Sequence, residues 1–191
     1  MPRTSDARER LIETAAALFQ RQGYHGTGLT QILQESGAPK GSFYHHFPDG
    51  KEALAEAAVR QAGAEVGQIV DQAFEPAATF EDGARALVTS VADWFERSGY
   101  AAGCPVTSVL LETVPGSARL HAATRAALDD WAARVARHAE ADGFDATAAR
   151  RLGDAMVIAL EGAWVAARAR RNGEAFETAA AAVAALSKAS R

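Results

Sequence analysis

The sequence predicts an all-α protein of about nine helices. Apolar residues recur at three- and four-residue spacing almost throughout, no stretch shows the alternation of Val, Ile and Thr that marks a strand, and Gly, Pro or Asn punctuates the chain between helix-length segments. The 191 residues, 48% of them hydrophobic, can bury a substantial core without staples. One cysteine, Cys104, excludes an intramolecular disulfide, and no apolar run follows the first charges as in a secretion signal, so a cytoplasmic protein is expected. The most apolar long run, Leu152 to Ala169, contains Asp154, Glu161 and Arg168 and belongs in a protein interior, not a membrane.

From about Ser5, residues Leu11, Ile12, Ala15, Leu18 and Phe19 fall on one face of a first helix that Thr4 or Ser5 can cap and Gly23 stops. Leu29, Ile32 and Leu33 mark a very short second helix ended by Gly37, with Gly28 a fair cap at its start. Pro39 opens a third helix running to about Phe47, because proline is tolerated in a first turn. Pro48, Asp49 and Gly50 break it, and a long fourth helix follows from Lys51 to Phe74, ended by Pro76. The remaining segments are Phe80 to Gly99, Pro105 to Val114, Ser117 to Asp142, Thr147 to Arg171 and Glu174 to Lys188. The alanine-rich tail reads as a packed helix, since Phe176, Ala179, Val183 and Leu186 keep helical spacing and alanine favours both helix and close approach.

A net charge of -4 is wrong for a general nucleic-acid coat, but the charge is unevenly placed. Up to Lys51 six basic residues stand against five acidic, whereas the rest of the chain carries 14 basic and 19 acidic. Contact with an anionic polymer must therefore come through the first quarter.

That quarter contains the stretch "GAPKGSFYHHFPDGKEAL". Two short helices joined at Gly37 describe a helix-turn-helix. Phe43 and Phe47, four apart, face inward toward Leu18, Phe19, Ile32 and Leu33, which leaves Lys40, Ser42, Tyr44, His45 and His46 partly or wholly outward. A cation, hydroxyls and imidazoles can reach phosphate oxygens or base edges, and Gly41 lowers the helix profile where a duplex could approach. A metal site fits poorly, because adjacent His45 and His46 point about 100 degrees apart while chelating pairs sit three or four residues apart. A phosphate-cradling loop would need a strand before Gly37, and none is predicted.

The segment "ETAAALFQRQGYHGTGLTQILQESGAPKGSFYHHFPDGKEAL" resembles the DNA-binding domain of the TetR/AcrR family of transcriptional regulators. Together with "GCPV" further on, it is most similar to the branch of LmrA/YxaF type. The resemblance implies a helix-turn-helix domain over residues 1–51 and a helical ligand-binding and dimerisation domain over 52–191. It implies phosphate contacts from Thr27 and Lys51, a backbone or base contact from Tyr44, a matching role for His46, and sequence preference from Lys40, Ser42 and His45. The chain departs from the family pattern at Gly28, where a second hydroxyl is common, at Pro39, where serine is usual, and in "PDGK", which is one residue longer.

The C-terminal segments carry more large apolar groups than closure of small helices requires, and a pocket for an apolar effector is expected near Trp94, Cys104, Leu110, Trp131 and Met156. Trp94, Trp131 and Met156 are its broad or adaptable walls, and Cys104 reads as a buried small hydrophobe. The segment from Thr147 to Arg171 is apolar around nearly its whole circumference, so it is covered on more than one side. Gly162 and Val165, with Phe176, Val183 and Leu186 of the last helix, suit the four-helix homodimer interface that the resemblance implies.

An enzyme is the main competing class, but there is no Glu-x-x-His pair, glycine-framed serine, cysteine with a base, or dinucleotide loop. A helical carrier of small molecules would leave the outward residues of the third helix without purpose. The expected activity is that of a ligand-responsive regulator, a repressor, binding a palindromic double-stranded DNA operator as a homodimer and released by a small apolar or amphipathic effector; no cofactor, metal or membrane is expected.

Overall fold

The computed structural model describes residues 4–191, with side chains from Asp6 onward, so the cap expected at Thr4 or Ser5 lies outside the described residues. Nine helices make up the described chain: α1 (Thr4–Gln22), α2 (Leu29–Ser36), α3 (Lys40–His46), α4 (Lys51–Phe74), α5 (Phe80–Arg97), α6 (Pro105–Thr113), α7 (Ala118–Ala141), α8 (Ala146–Arg170) and α9 (Glu174–Ala189). Among the described residues there is no strand. The helix ends follow from local chemistry. Gly23 ends α1 and Gly37 ends α2 in left-handed conformations, φ +79° and +63°, that L side chains rarely adopt. Asp145 caps α8 by accepting the amides of Thr147 and Ala148, and Thr79 caps α5 by accepting that of Asp82.

The chain forms two compact units, one comprising residues up to Ala64 with Gly103–Ala127, the other Glu65–Ala102 with Leu128–Arg191. Helices α4 and α7 contribute residues to both. The division by compactness thus differs from the functional boundary expected at Lys51: α6 and the start of α7 join the N-terminal helices.

In the first unit α1 packs against α2, α3 and α6. Its core contains Leu11, Leu18, Phe19, Ile32, Phe43 and Phe47, all buried, with Leu33 half-buried. In the second unit α9 packs on α8 and α5 around Phe74, Phe80, Phe95, Leu152, Met156 and Phe176. Gly153 brings α8 against the α7 backbone so closely that a Cβ there would lie 2.2 Å from the Ala132 carbonyl oxygen.

Candidate nucleic-acid interface

Helix α3 is only seven residues long and cannot stand alone, so its aim depends on how it is anchored. Phe43 is fully buried and Phe47 nearly so, their rings 5.9 Å apart, and the Arg8 guanidinium lies 5.8 Å above the Phe47 ring. Arg10 holds the end of α2 by donating from Nε to the Ser36 carbonyl at 2.9 Å. Pro39 with its extended backbone is the N-cap, one position before the helix proper.

This anchoring leaves Lys40, Gly41, Tyr44 and His45 exposed on α3 and Ser42 half-buried beside them. Tyr44 is 48% exposed, its ring edge-on to Phe43 at 5.0 Å, so a buried aromatic steadies an outward phenol. No side chain stands over Gly41, and the helix there is open to a close partner. His46 is half-buried, and its Nε2 is buried without a hydrogen-bond partner among the described residues.

Two of the residues expected at phosphates are turned to the protein itself. Thr27 is fully buried, because its hydroxyl donates to the Gly23 carbonyl at 2.7 Å and so closes the α1–α2 turn. Lys51 is half-buried; its ammonium donates to the Tyr24 carbonyl at 2.6 Å and lies 4.1 Å from the centre of the Tyr24 ring. Burial pushes the Lys51 ammonium below its ordinary range, while the nearby Glu112 carboxylate pulls the other way.

The residues expected to line an effector site are divided between the units. Trp94, Trp131 and Met156 belong to the second, where Trp131 and Met156 are buried and Trp94 packs edge-on against Trp164 at 5.8 Å. Cys104 and Leu110 belong to the first, Cys104 as the buried N-cap of α6. Of the residues expected between two copies, Gly162 and Val165 are exposed on α8, Val165 by 67%. Phe176 and Val183 are not: at 1% and 2% exposed they belong to the protomer's own core, because that face of α9 is covered by α5 and α8. Leu186 is half-buried against the same core. Ile158, 72% exposed and one heptad before Val165 on the same face of α8, and the alanines 181, 182 and 185 on α9 are exposed as well.

Among the described residues no group of three or more His, Cys, Asp or Glu is placed to hold a metal, and no helix is long and apolar enough to cross a membrane. A short two-helix reading unit with an apolar inner face and a polar, cationic outer one, set on an otherwise helical chain, is the arrangement of a helix-turn-helix DNA-binding regulator of transcription.

Residues 11–58 match the model of the bacterial regulatory proteins of the tetR family, and residues 81–182 match that of the LmrA/YxaF-like transcriptional regulator C-terminal domain. The chain belongs to the TetR family, with a C-terminal domain of the LmrA/YxaF type. It is 37% identical over 162 residues to the uncharacterised HTH-type transcriptional regulator YxaF of Bacillus subtilis, covering 85% of each chain. It is 35% identical over 157 residues to the HTH-type transcriptional regulator LmrA of the same organism, covering 82% of this chain and 84% of that one. A TetR transcriptional regulator from Chloroflexus aurantiacus has the same fold, with a TM-score of 0.78 at 28% identity over 97% of this chain and 96% of that one. Family and relatives are regulators, not enzymes.

Proposed function

We propose that the protein is a cytoplasmic repressor that binds a two-fold symmetric operator as a homodimer and leaves it when a small apolar or amphipathic molecule binds. The observation that carries the DNA half is the outer face of α3: Lys40, Tyr44 and His45 exposed and Ser42 beside them, over the buried pair Phe43 and Phe47. These groups supply phosphate and base-edge contacts, and two copies of α3 read successive major grooves about 34 Å apart. Lys51, with its ammonium committed to Tyr24, and Thr27, with its hydroxyl committed to Gly23, act by fixing the turn that aims the reading unit.

The dimer reading rests on the exposed apolar stripe of α8, Ile158, Gly162 and Val165, beside the alanine face of α9. No side chain stands over Gly162, so a second helix can approach there closely. An effector among the aromatic groups of the second unit, near Trp94, Trp131 and Met156, must favour the form that fits DNA less well. A coupling of about 1 to 3 kcal/mol lowers operator affinity some 5- to 150-fold.

The test is selection of sites from random duplex DNA with the full chain. A recovered site with two-fold symmetry and an affinity that falls steeply with salt supports the reading. Recovery of no preferred sequence refutes it.

A further inference from the structure

The α1–α2 turn is held from two sides, and only one of them is explained by the helices that form the DNA-reading unit. From the α4 side comes Lys51, bound to the Tyr24 carbonyl. From the other side comes Glu112, in the last turn of α6 and 87 residues away in sequence: its Oε2 accepts the His25 amide at 2.6 Å. Its backbone carbonyl lies 3.0 Å from His25 Nε2, and since a carbonyl only accepts, that nitrogen carries the ring proton. The carboxylate also lies over Gly23, 1.8 Å from where a Cβ would stand, while the φ of +79° at that position is what calls for glycine. The start of α6 is fastened to α1 as well, by Gln20 Nε2 donating to the Gly103 carbonyl at 2.8 Å. Beside the Glu112 contact lies a recess of about 230 Å³, bordered by Tyr24, Glu52, Thr113 and Ser117.

We propose that Glu112 is a positioning residue for DNA binding: it works as a clasp by which α6 holds the Gly23–His25 turn, and so the entry of α2 and the aim of α3, in the operator-binding arrangement. The proposal rests on the reading of α2 and α3 as the DNA-reading pair. A solvated carboxylate at the surface would gain little from an ordinary ion pair, but an acceptor aimed at a backbone amide is charge-assisted and geometrically fixed. Because Glu112 sits on the same short helix as Leu110, with Cys104 as the N-cap, a displacement of α6 opens the clasp.

The experiment uses the full-length wild type, Glu112→Ala and Glu112→Gln, with an operator duplex selected by the wild type and a scrambled duplex as control. Amide exchange over residues 20–28, operator affinity, dimerisation and Tm are measured together. In Glu112→Ala the His25 amide exchanges about tenfold or more faster, as expected on losing a hydrogen bond to a charged group, and operator affinity falls about tenfold. Scrambled-duplex binding and dimerisation are unchanged. Glu112→Gln, which keeps an acceptor, lies between the two in both readouts. Unchanged exchange at His25 in Glu112→Ala overturns the clasp, and faster exchange with wild-type operator affinity overturns its role in DNA binding. Should Glu112→Ala not fold, Glu112→Gln decides: no change in exchange or affinity overturns the proposal. If the wild type selects no DNA site, the DNA reading falls, and the exchange arm still decides whether the clasp exists.

Discussion

Replacing Ile158 and Val165 together by aspartate should separate the two copies of the proposed homodimer while leaving each copy folded. The two side chains are 72% and 67% exposed on a single chain, so neither contributes much to the protomer's core. Full burial of an aliphatic side chain of this size is worth about 1.5 to 3 kcal/mol, and the exposed fraction leaves about 1 to 2 kcal/mol for each to gain on association. Two residues from each of two copies make roughly 4 to 8 kcal/mol of gross contact energy. Aspartate removes this and adds the cost of desolvating like charges across a symmetric interface. Even the lower figure corresponds to about a thousandfold weaker dimer. Sedimentation velocity over a concentration series, with circular dichroism as a check on folding, should find helical monomers where the wild type is dimeric. Operator binding should fall in parallel, since one reading helix is left to hold the site. A double variant that dimerises with wild-type affinity would refute the assignment of this stripe. The informative control is Val183→Ala: because Val183 is 2% exposed, that change should cost about 2 kcal/mol of fold stability and leave the dimer constant of the folded protein unchanged.

Three further outcomes follow from the same structure. Tyr44→Ala should keep the fold, as the residue is half-exposed, but weaken operator binding; one hydrogen bond of about 1 kcal/mol per copy makes roughly 30-fold for a dimer, measurable by fluorescence anisotropy at fixed salt. Gly153→Ala should lower stability by about 1 to 3 kcal/mol in urea unfolding, because its Cβ would meet backbone that cannot swing aside. Stability should also fall in acid through Glu81, whose carboxyl is held below its ordinary 4.5 by the Ser187 hydroxyl, against the opposing effect of burial and with help from Arg191. A depressed carboxyl contributes stability that is present above the unfolded value and lost as pH falls through the folded one, so urea midpoints below about pH 4.5 should drop less steeply in Ser187→Ala than in the wild type.

The helix-turn-helix was legible because its signals are local. Glycines at 23 and 37 end helices, proline opens α3, and the four-residue spacing of Phe43 and Phe47 fixes which face is buried and hence that Tyr44 and His45 point out. What failed to be legible depends on partners distant in sequence. Lys51 carries the charge and position of a phosphate-binding residue, yet its ammonium is taken by a carbonyl 27 residues earlier. The periodicity of α9 marked Phe176 and Val183 as a buried face without saying what buries it; α5 and α8 of the same protomer do. The exposed side of α9 carries the alanines 181, 182 and 185, which give little contrast to a hydropathy pattern. Glu112 had no local signal at all, since a lone glutamate near a helix end is ordinary surface until the turn it grips is brought beside it.

In the proposed function the outer face of α3 reads DNA. The most direct measurement is the salt dependence of binding to a selected two-fold symmetric duplex by the wild type, compared with a variant in which Lys40, Tyr44 and His45 are all alanine. Sequence-selective binding with a steep inverse salt dependence is expected of the wild type, and of the variant a folded dimer that no longer distinguishes operator from scrambled DNA. Equal discrimination by the two proteins would refute a DNA-reading role for this face of α3.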